Sequence, residues 1–170
     1  MEIKTFEYST AGETKMKSMS KLEAVMWSIA LPGFSQLLTG QLFKGTFFVL
    51  LEIIINVFSN FNTAIMFSFL GKIDEAFWVI DYQWLMFYPC LYMFAMWDAY
   101  RAAMPSDEKL SFLPFVFCAY SVTVGLMVSS NVSMFGVKPG PVFFPMICLI
   151  PGLAAGFFVR WLILAFRKKV

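Results

Sequence analysis

The sequence predicts an all-α fold: a polytopic membrane helical bundle of four transmembrane helices with an N-terminal re-entrant or interfacial helix. Three observations predict it, namely the composition, four long apolar stretches and the distribution of Lys and Arg. Of the 170 residues, 59% are hydrophobic and 14% are charged, against roughly 45–50% and about 25% in soluble globular domains. A soluble core cannot absorb so much apolar surface, so we expect a membrane protein.

The N-terminal part of the chain predicts a tail followed by a broken apolar segment. Residues 1–21 mix Lys and Glu without the cleavage pattern of a signal peptide, which predicts a polar cytoplasmic tail. Residues 22–38 are apolar but short, contain Glu23, and are interrupted by Pro32 and Gly33. Non-helical backbone survives at membrane depth only where protein or water satisfies its polar groups. We therefore expect this segment to enter and leave the membrane on one side, or to lie at the interface.

Four later stretches have the length of membrane-spanning helices within a membrane domain of residues 22–166. Each is close to the ~20 residues that cross a hydrocarbon core of ~30 Å. They cover residues 42–58, 77–100, 112–129 and 142–166. Between the first two, residues 59–75 carry apolar side chains such as Phe61 and Phe69 at helical spacing, which predicts an interfacial helix that caps the bundle. Residues 167–170 predict a basic cytoplasmic tail.

The distribution of basic residues indicates whether residues 22–38 cross the membrane. If they do not cross, ten Lys and Arg share one side and only Lys72 and Lys138 lie opposite. The ten are Lys4, Lys15, Lys17, Lys21, Lys44, Arg101, Lys109, Arg167, Lys168 and Lys169. If they cross, the count is six against six. Since Lys and Arg concentrate in cytoplasmic loops, we expect a multi-pass protein of the cytoplasmic (plasma) membrane with both termini in the cytoplasm.

The turn inside the broken segment carries a family resemblance. Residues 32–45 read P-G-F-S-Q-L-L-T-G-Q-L-F-K-G. This run resembles the P-G-x-G-Q-x-x-x-G-x-x-x-K-G connection of small bacterial multi-pass membrane proteins built around a short hydrophobic hairpin, which are largely uncharacterised. Ser35 stands where that pattern has its second Gly. The resemblance implies a membrane hairpin, and the candidate residues of its re-entrant turn are Pro32, Gly33, Gln36 and Gly40.

Polar residues stand at membrane depth in two of the predicted spans. Glu52 lies midway in the first span, and Asn56 follows one turn later on the same face. Glu52 is eight residues from Lys44, or about 12 Å along a helix. Arg160 is seven residues from Arg167, or about 10 Å from the same surface. We therefore predict that Glu52 and Arg160 form an ion pair inside the bundle, because pairing lowers the desolvation cost of both.

Other interpretations of these residues stay open. Glu52 is a protonatable carboxylate in a transport path, or it helps to form a polar pocket for a lipid headgroup or a partner helix. Arg160 alternatively extends its guanidinium to the cytoplasmic interface. Asp81, Asp98 and Arg101 lie among aromatic residues near the ends of a predicted span, so we interpret them as interfacial groups.

Small residues inside the apolar stretches predict packing and no chemistry. Gly152 and Gly156 are one turn apart, which predicts close helix packing within the bundle, with a dimer contact as the alternative. Cys90, Cys118 and Cys148 each lie in a different apolar stretch and form no C-x-x-C pattern. We therefore interpret them as small buried hydrophobic residues.

Several classes of function are excluded. The chain has no His, which excludes His-based zinc sites, nucleophile–His pairs and His proton relays. It also lacks the Gly-rich patterns that cradle nucleotide phosphates. We therefore expect no enzyme, no catalytic residues, no cofactor and no metal site. The expected partners are membrane lipids and either a membrane-protein partner or further copies of the chain in a homo-oligomer, and not nucleic acid.

Three classes of membrane-protein function remain after these exclusions. The sequence predicts a non-enzymatic accessory, regulatory or assembly subunit of the cytoplasmic membrane. One alternative is a small oligomeric transporter or channel lined by the intramembrane residues Glu52 and Asn56. A second alternative is a lipid-modifying membrane enzyme with Asp98, Tyr100 and Arg101 at the level of the headgroups.

Overall fold

The computed structural model describes residues 19–104 and 108–167. Most of the predicted N-terminal tail, the last three residues of the basic tail and residues 105–107 lie outside these ranges. Within them, the regular elements are nine α-helices. They are α1 (Lys21–Ala30), α2 (Phe34–Leu38), α3 (Leu42–Ser59), α4 (Phe61–Phe69), α5 (Ile73–Val79), α6 (Tyr82–Leu85), α7 (Tyr88–Ala102), α8 (Leu113–Val128) and α9 (Gly140–Arg167). The prediction of an all-helical fold is confirmed for this part of the chain.

Two of the helices, α3 and α9, are long and apolar enough to cross a membrane. Helix α3 has 18 residues and α9 has 28. At 1.5 Å per residue α9 is about 42 Å long, which exceeds the ~30 Å thickness of a hydrocarbon core. Helix α8 is equally apolar in character but has 16 residues.

Helices α8 and α9 pack as an antiparallel pair through glycine. A Cβ placed on Gly156 would stand 2.5 Å from the Pro114 Cα. At Gly152 it would stand 3.0 Å from the Cys118 Cα, and at Gly125 of α8 it would stand 2.6 Å from the Cys148 Sγ. Side chains at these positions would hold the helices apart. The prediction that Gly152 and Gly156 pack within the bundle is therefore confirmed.

Helices α3 and α7 form a second antiparallel pair. Three contacts in order along α3 meet residues in reverse order along α7. The Lys44 Nζ lies 3.1 Å from the Asp98 Oδ1, and the rings of Phe48 and Phe94 are 5.9 Å apart. One turn further, the Tyr88 hydroxyl lies 3.4 Å from the Glu52 Oε1. Helix α7 thus runs beside the first half of α3. It has 15 residues and is therefore shorter than α3.

The prediction of one continuous helix over residues 77–100 is wrong. The chain divides this stretch among α5, α6 and α7. The break follows from Asp81, whose Oδ1 accepts hydrogen bonds from the backbone N–H of Gln83 at 2.9 Å and of Trp84 at 3.4 Å. An Asp that caps a helix has non-helical backbone itself, so the preceding helix must end before it. Pro89 lies in the first turn of α7, where its missing N–H is tolerated.

Helices α4, α5 and α6 cover the end of the bundle opposite Lys44. Ala64, Ala76, Ile80 and Leu85 from these helices and their connections form a buried cluster with Leu126 of α8. The first turn of α9 joins this cap, because the rings of Phe69 and Phe143 are 5.1 Å apart. The capping helix predicted for residues 59–75 is therefore present as α4 and the start of α5. We call this end of the bundle the cap end.

Helices α1 and α2 form a hairpin that returns to the end from which it starts. Lys21 at the start of α1 lies over the Tyr100 ring, 5.5 Å from its centroid. The Tyr92 hydroxyl, two turns earlier in α7, donates to the Ile29 carbonyl at the other end of α1. The chain then turns at Gly33 and returns to Lys44 beside Asp98. The hairpin thus reaches roughly 12 Å into the bundle along α7, given eight residues of helix.

The end that holds Lys21, Lys44 and Tyr100 is called the basic end. Of the eight Lys and Arg in the described ranges, six lie there and two lie at the cap end. The six are Lys21, Lys44, Arg101, Lys109, Arg160 and Arg167, and the two are Lys72 and Lys138. The cap end also carries three acidic residues, Asp74, Glu75 and Asp81. The two ends of the described bundle therefore differ in the sign of their net charge.

Candidate functional site

The hairpin turn fits against α3 because two glycines meet there. Gly33 has φ +96°, a left-handed backbone that side chains disfavour, and a Cβ on it would stand 2.6 Å from the Gly45 carbonyl oxygen. A Cβ on Gly45 would stand 2.8 Å from the backbone nitrogen of Leu37. Pro32 is buried beside Gly33. These contacts give a physical reason for the first and last glycines of the 32–45 pattern.

Gln36 connects the hairpin to α7. Its side chain is 1% exposed, and its Nε2 donates to the Ala95 carbonyl at 2.9 Å and to the Asp98 Oδ2 at 3.2 Å. The other oxygen of Asp98 pairs with Lys44 at 3.1 Å. Two polar residues of the 32–45 pattern therefore converge on one carboxylate. The sequence predicts Asp98 as an interfacial group, and the structure gives it this additional role in joining α2 and α3 to α7.

Ser35 fits the turn in place of the glycine of the resembled pattern. Its hydroxyl donates to the Ala24 carbonyl at 2.7 Å, and the residue is 1% exposed. The bond ties α2 to α1 and satisfies a buried hydroxyl, which would otherwise be costly. Gly40 follows α2 with φ +82°, and a Cβ added to it would meet no atom within 4 Å. It serves the backbone turn and not close packing.

Glu108 is the centre of a second polar cluster, at the basic end. Its carboxylate forms an ion pair with Lys21 and another with Arg160, whose Nη2 lies 3.2 Å from the Glu108 Oε2. The Tyr100 hydroxyl donates to the same oxygen at 3.3 Å. The Arg160 Nε also donates to the Lys109 carbonyl at 3.2 Å. One carboxylate thus joins α1, α7, α9 and the connection between α7 and α8.

The predicted ion pair between Glu52 and Arg160 is wrong. Arg160 binds Glu108 and Lys109 at the basic end, whereas Glu52 contacts Tyr88. The error lies in the depth assigned to Arg160, which is counted from Arg167 as though the membrane surface were there. Helix α9 is longer than a bilayer core requires, so its last two turns extend past the α7–α8 connection.

Sequence reasoning missed Glu108 and Lys21 as site residues. Both lie in polar segments outside the apolar stretches, where a charge is expected whatever its role. In the sequence, Glu108 is marked as a possible site residue only by its place in the short connection between two apolar stretches, near their ends. That signal does not select Glu108 over its polar neighbours, since only the folded hairpin brings Lys21 to it.

The Glu108 cluster predicts a specific pH dependence of stability. The hydrogen bond from Lys21, followed by that from Arg160, lowers the pKa of Glu108, and the bond to Glu108 raises the pKa of Lys21. The carboxylate's contribution is therefore present above its unfolded pKa of about 4.3 and is lost as pH falls through the lower folded value. The ammonium's contribution is present below about 10.4 and is lost as pH rises through the higher folded value.

We expect Glu108→Gln to lower the thermal midpoint in detergent across the neutral range and to flatten its fall in acid. The midpoint is measured against pH for both proteins. Glu75→Gln, at an exposed site in the first turn of α5, is the control and should leave the profile unchanged. An acid limb in Glu108→Gln as steep as in the parent protein would contradict this assignment.

Glu52 lies in a separate polar strip between α3 and α7. The Tyr88 hydroxyl donates to the Glu52 Oε1 at 3.4 Å, and the rings of Tyr88 and Tyr92 are 5.6 Å apart. Tyr92 continues the strip to the Ile29 carbonyl at the end of α1. Asn56 is half-buried one turn from Glu52, and its backbone carbonyl accepts a hydrogen bond from the Ser59 hydroxyl at 3.3 Å.

The remaining predicted residues have structural surroundings. Asp81 caps α6 at the cap end. The Arg101 guanidinium lies over the Trp97 ring, 5.5 Å from its centroid. Cys118 is buried and Cys148 is half-buried between α8 and α9, as expected for packing residues, but Cys90 is exposed, so its predicted burial is wrong. No cluster of three possible metal ligands occurs among the described residues.

Comparison with known proteins gives no relative: no protein-family model matches the chain, and no curated protein or solved structure matches it. The resemblance of residues 32–45 to a hairpin connection therefore stays a prediction.

Proposed function

We propose that the chain is a four-span protein of the cytoplasmic membrane, with α3, α7, α8 and α9 crossing and the α1–α2 hairpin re-entrant from the cytoplasm. The antiparallel contacts support this arrangement. Helices α7 and α8 are short, but α7 runs beside α3 and α8 runs beside α9. A helix packed along a spanning neighbour lies at the same depth. The excess of Lys and Arg at the basic end supports a cytoplasmic position for that end.

The topology is tested with reporter fusions. Fusions after Gln41, Met104 and Val170 should report a cytoplasmic position, and fusions after Lys72 and Lys138 an external one. The reason is that the hairpin returns to its starting end, so Gln41 and Lys109 lie on one side of the bundle. An external signal at Gln41 would contradict the re-entrant hairpin and require a fifth span.

Within this topology, we propose a non-enzymatic accessory, regulatory or assembly role. One observation carries the proposal: two of the carboxylates that could perform chemistry, Asp98 and Glu108, are used to join helices. Asp98 binds Lys44 and Gln36, and Glu108 binds Lys21 and Arg160. The oxygens of both carboxylates are engaged by side chains of neighbouring helices, which leaves them poorly placed to contact a substrate. This also disfavours Asp98 as the centre of a lipid-modifying enzyme.

The exposed surface supports a role in the membrane or in an assembly. Large apolar side chains are exposed along several helices. They include Phe43, Phe47, Leu50, Ile54 and Val57 on α3 and Ile150, Phe157, Phe158, Trp161 and Phe166 on α9. Single exposed apolar residues are ordinary on soluble proteins, but contiguous faces of this size indicate lipid or a protein partner.

The proposed role is tested by purification of the tagged full chain in mild detergent, followed by native mass spectrometry. We expect a complex of defined stoichiometry with another membrane protein. A matched sample carrying Gly33→Ala should lose that complex if the hairpin helps to form the interface, whereas Gly40→Ala should retain it. A monomer or homo-oligomer without partner under all mild conditions would contradict the accessory role.

A second function, a small oligomeric transporter or channel, is favoured by the Glu52 strip. A carboxylate halfway along α3 is costly in lipid and commonly marks an ion pathway. The test is ion or proton flux in liposomes that contain the purified chain, compared with Glu52→Gln. Flux that the Glu52→Gln variant abolishes would place this function ahead of the accessory role.

A further inference from the structure

Glu52 is an acidic residue in an otherwise apolar part of α3. Its neighbours Leu50, Ile53 and Ile54 are exposed, with Leu50 at 53%. Glu52 itself is half-buried and turned towards α7, where it meets the Tyr88 hydroxyl at 3.4 Å. That distance is long for a bond between two oxygens, for which about 2.7–2.8 Å is usual. Glu52 therefore has a weak partner in the described structure.

No cation in the described ranges balances Glu52. The ion pairs seen there join Lys21 and Arg160 to Glu108 and Lys44 to Asp98. Helices α2 and α4, which pack against α3, contain no Asp, Glu, Lys or Arg, and the titratable side chain of α6 is Tyr82. On α7, the groups near Glu52 are Tyr88 and Tyr92, while Asp98 and Arg101 lie ten or more residues beyond Tyr88 at the basic end.

The oxygens around Glu52 suit a small hard cation. The strip offers two carboxylate oxygens and the Tyr88 and Tyr92 hydroxyls, and it ends at the Ile29 carbonyl in the last turn of α1. In membrane proteins, interrupted helices supply backbone carbonyls at helix C-termini to Na⁺ or H⁺ sites. Helix α1 is interrupted in this way at Leu31 to Gly33.

We propose that Glu52, Tyr88 and Tyr92 form an intramembrane binding site for Na⁺. The cation neutralises the carboxylate, which the protein itself leaves unbalanced. The inference rests on the proposed membrane position of α3 and does not depend on a partner subunit. Because the Tyr92 hydroxyl donates to the Ile29 carbonyl, the site also touches the deep end of the hairpin.

The test is labelling of the purified full chain in liposomes with dicyclohexylcarbodiimide. This apolar reagent enters the bilayer and adds to carboxylic acids that carry a proton, and the modified residue is identified by mass spectrometry. We expect labelling at Glu52 in choline buffer, and its loss in Glu52→Gln. Addition of Na⁺ in place of choline should slow the labelling several-fold, because bound Na⁺ occupies the Glu52 carboxylate.

Two further outcomes would overturn the proposal. The first is absence of labelling at Glu52 in sodium-free buffer from acidic to alkaline pH. The second is labelling of Glu52 that Na⁺ does not slow, since a bound Na⁺ must compete with the reagent for the carboxylate. A parallel sample is treated with a water-soluble carbodiimide and an amine. It tests whether α3 lies in the membrane independently of whether Glu52 binds a cation. Modification of Glu52 by that reagent to the same extent as the exposed Glu75 would show that α3 does not lie in the membrane.

Discussion

Gly33→Ala is expected to destabilise the protein by about 2–5 kcal/mol, more than the same change at Gly40, the other turn glycine of the hairpin. Two costs add at this position. The left-handed backbone at φ +96° costs an L-residue about 1–2 kcal/mol. The new Cβ would also stand 2.6 Å from the Gly45 carbonyl oxygen, and overpacking of this kind costs about 1–3 kcal/mol. The measurement is the free energy of unfolding in mixed detergent.

Gly40→Ala is the matched control for this prediction. Gly40 has φ +82° and open space around a Cβ, so Ala there incurs only the backbone cost of about 1–2 kcal/mol. Gly45→Ala tests the opposite case, because Gly45 has no positive φ but would place its Cβ 2.8 Å from the Leu37 nitrogen. Equal losses from Gly33→Ala and Gly40→Ala would contradict the close contact between the hairpin turn and α3.

The boundaries of three long helices follow closely from the apolar pattern. Predicted stretches 42–58, 112–129 and 142–166 correspond to helices Leu42–Ser59, Leu113–Val128 and Gly140–Arg167. Each boundary coincides with a polar residue, Gly or Pro, which favours a helix end at the same place where the apolar stretch ends. The sequence therefore predicts these helices from information that is local to each.

The stretch at 77–100 shows where local information is ambiguous. Asp81 lies between apolar residues and next to Tyr82, which is also the pattern of an interfacial anchor within a continuous helix. The structure uses it as a helix cap, and its backbone N–H donates to the Ser59 carbonyl at 3.1 Å. That carbonyl belongs to a helix more than twenty residues earlier. The choice between anchor and cap depends on this distant contact.

The polar contacts are the least predictable part of the structure. Gln36, Lys44 and Asp98 are each evident in the sequence, but their convergence requires the hairpin to fold back along α7. The sequence pairs Glu52 with Arg160 by depth, and that depth is counted from an assumed membrane surface. An error of two helical turns in that surface moves a charge by about 10 Å. This is enough to exchange one partner for another.

Gly156→Val should lower the free energy of unfolding by an amount similar to or larger than that of Gly33→Ala. It acts at the contact between α8 and α9. All three nearest atoms to a Cβ at Gly156 are backbone atoms of Leu113 and Pro114, at 2.5–3.0 Å. Backbone cannot move aside as a flexible side chain does, so α8 must shift from α9. Overpacking costs about 1–3 kcal/mol when neighbours can adjust. We expect a loss at or above the upper end of that range, measured as the free energy of unfolding.

The shift should also weaken the Glu108 cluster, because Arg160 is one turn after Gly156 and its Nε binds the Lys109 carbonyl. The pH profile of Gly156→Val should therefore resemble that of Glu108→Gln, a readout that simple overpacking elsewhere would not produce. Ala154→Val, at an exposed position on the same helix, should change neither property. If Gly156→Val instead altered the oligomeric state and left stability and the pH profile intact, Gly156 would serve a contact between copies of the chain, and the antiparallel α8–α9 packing would be wrong.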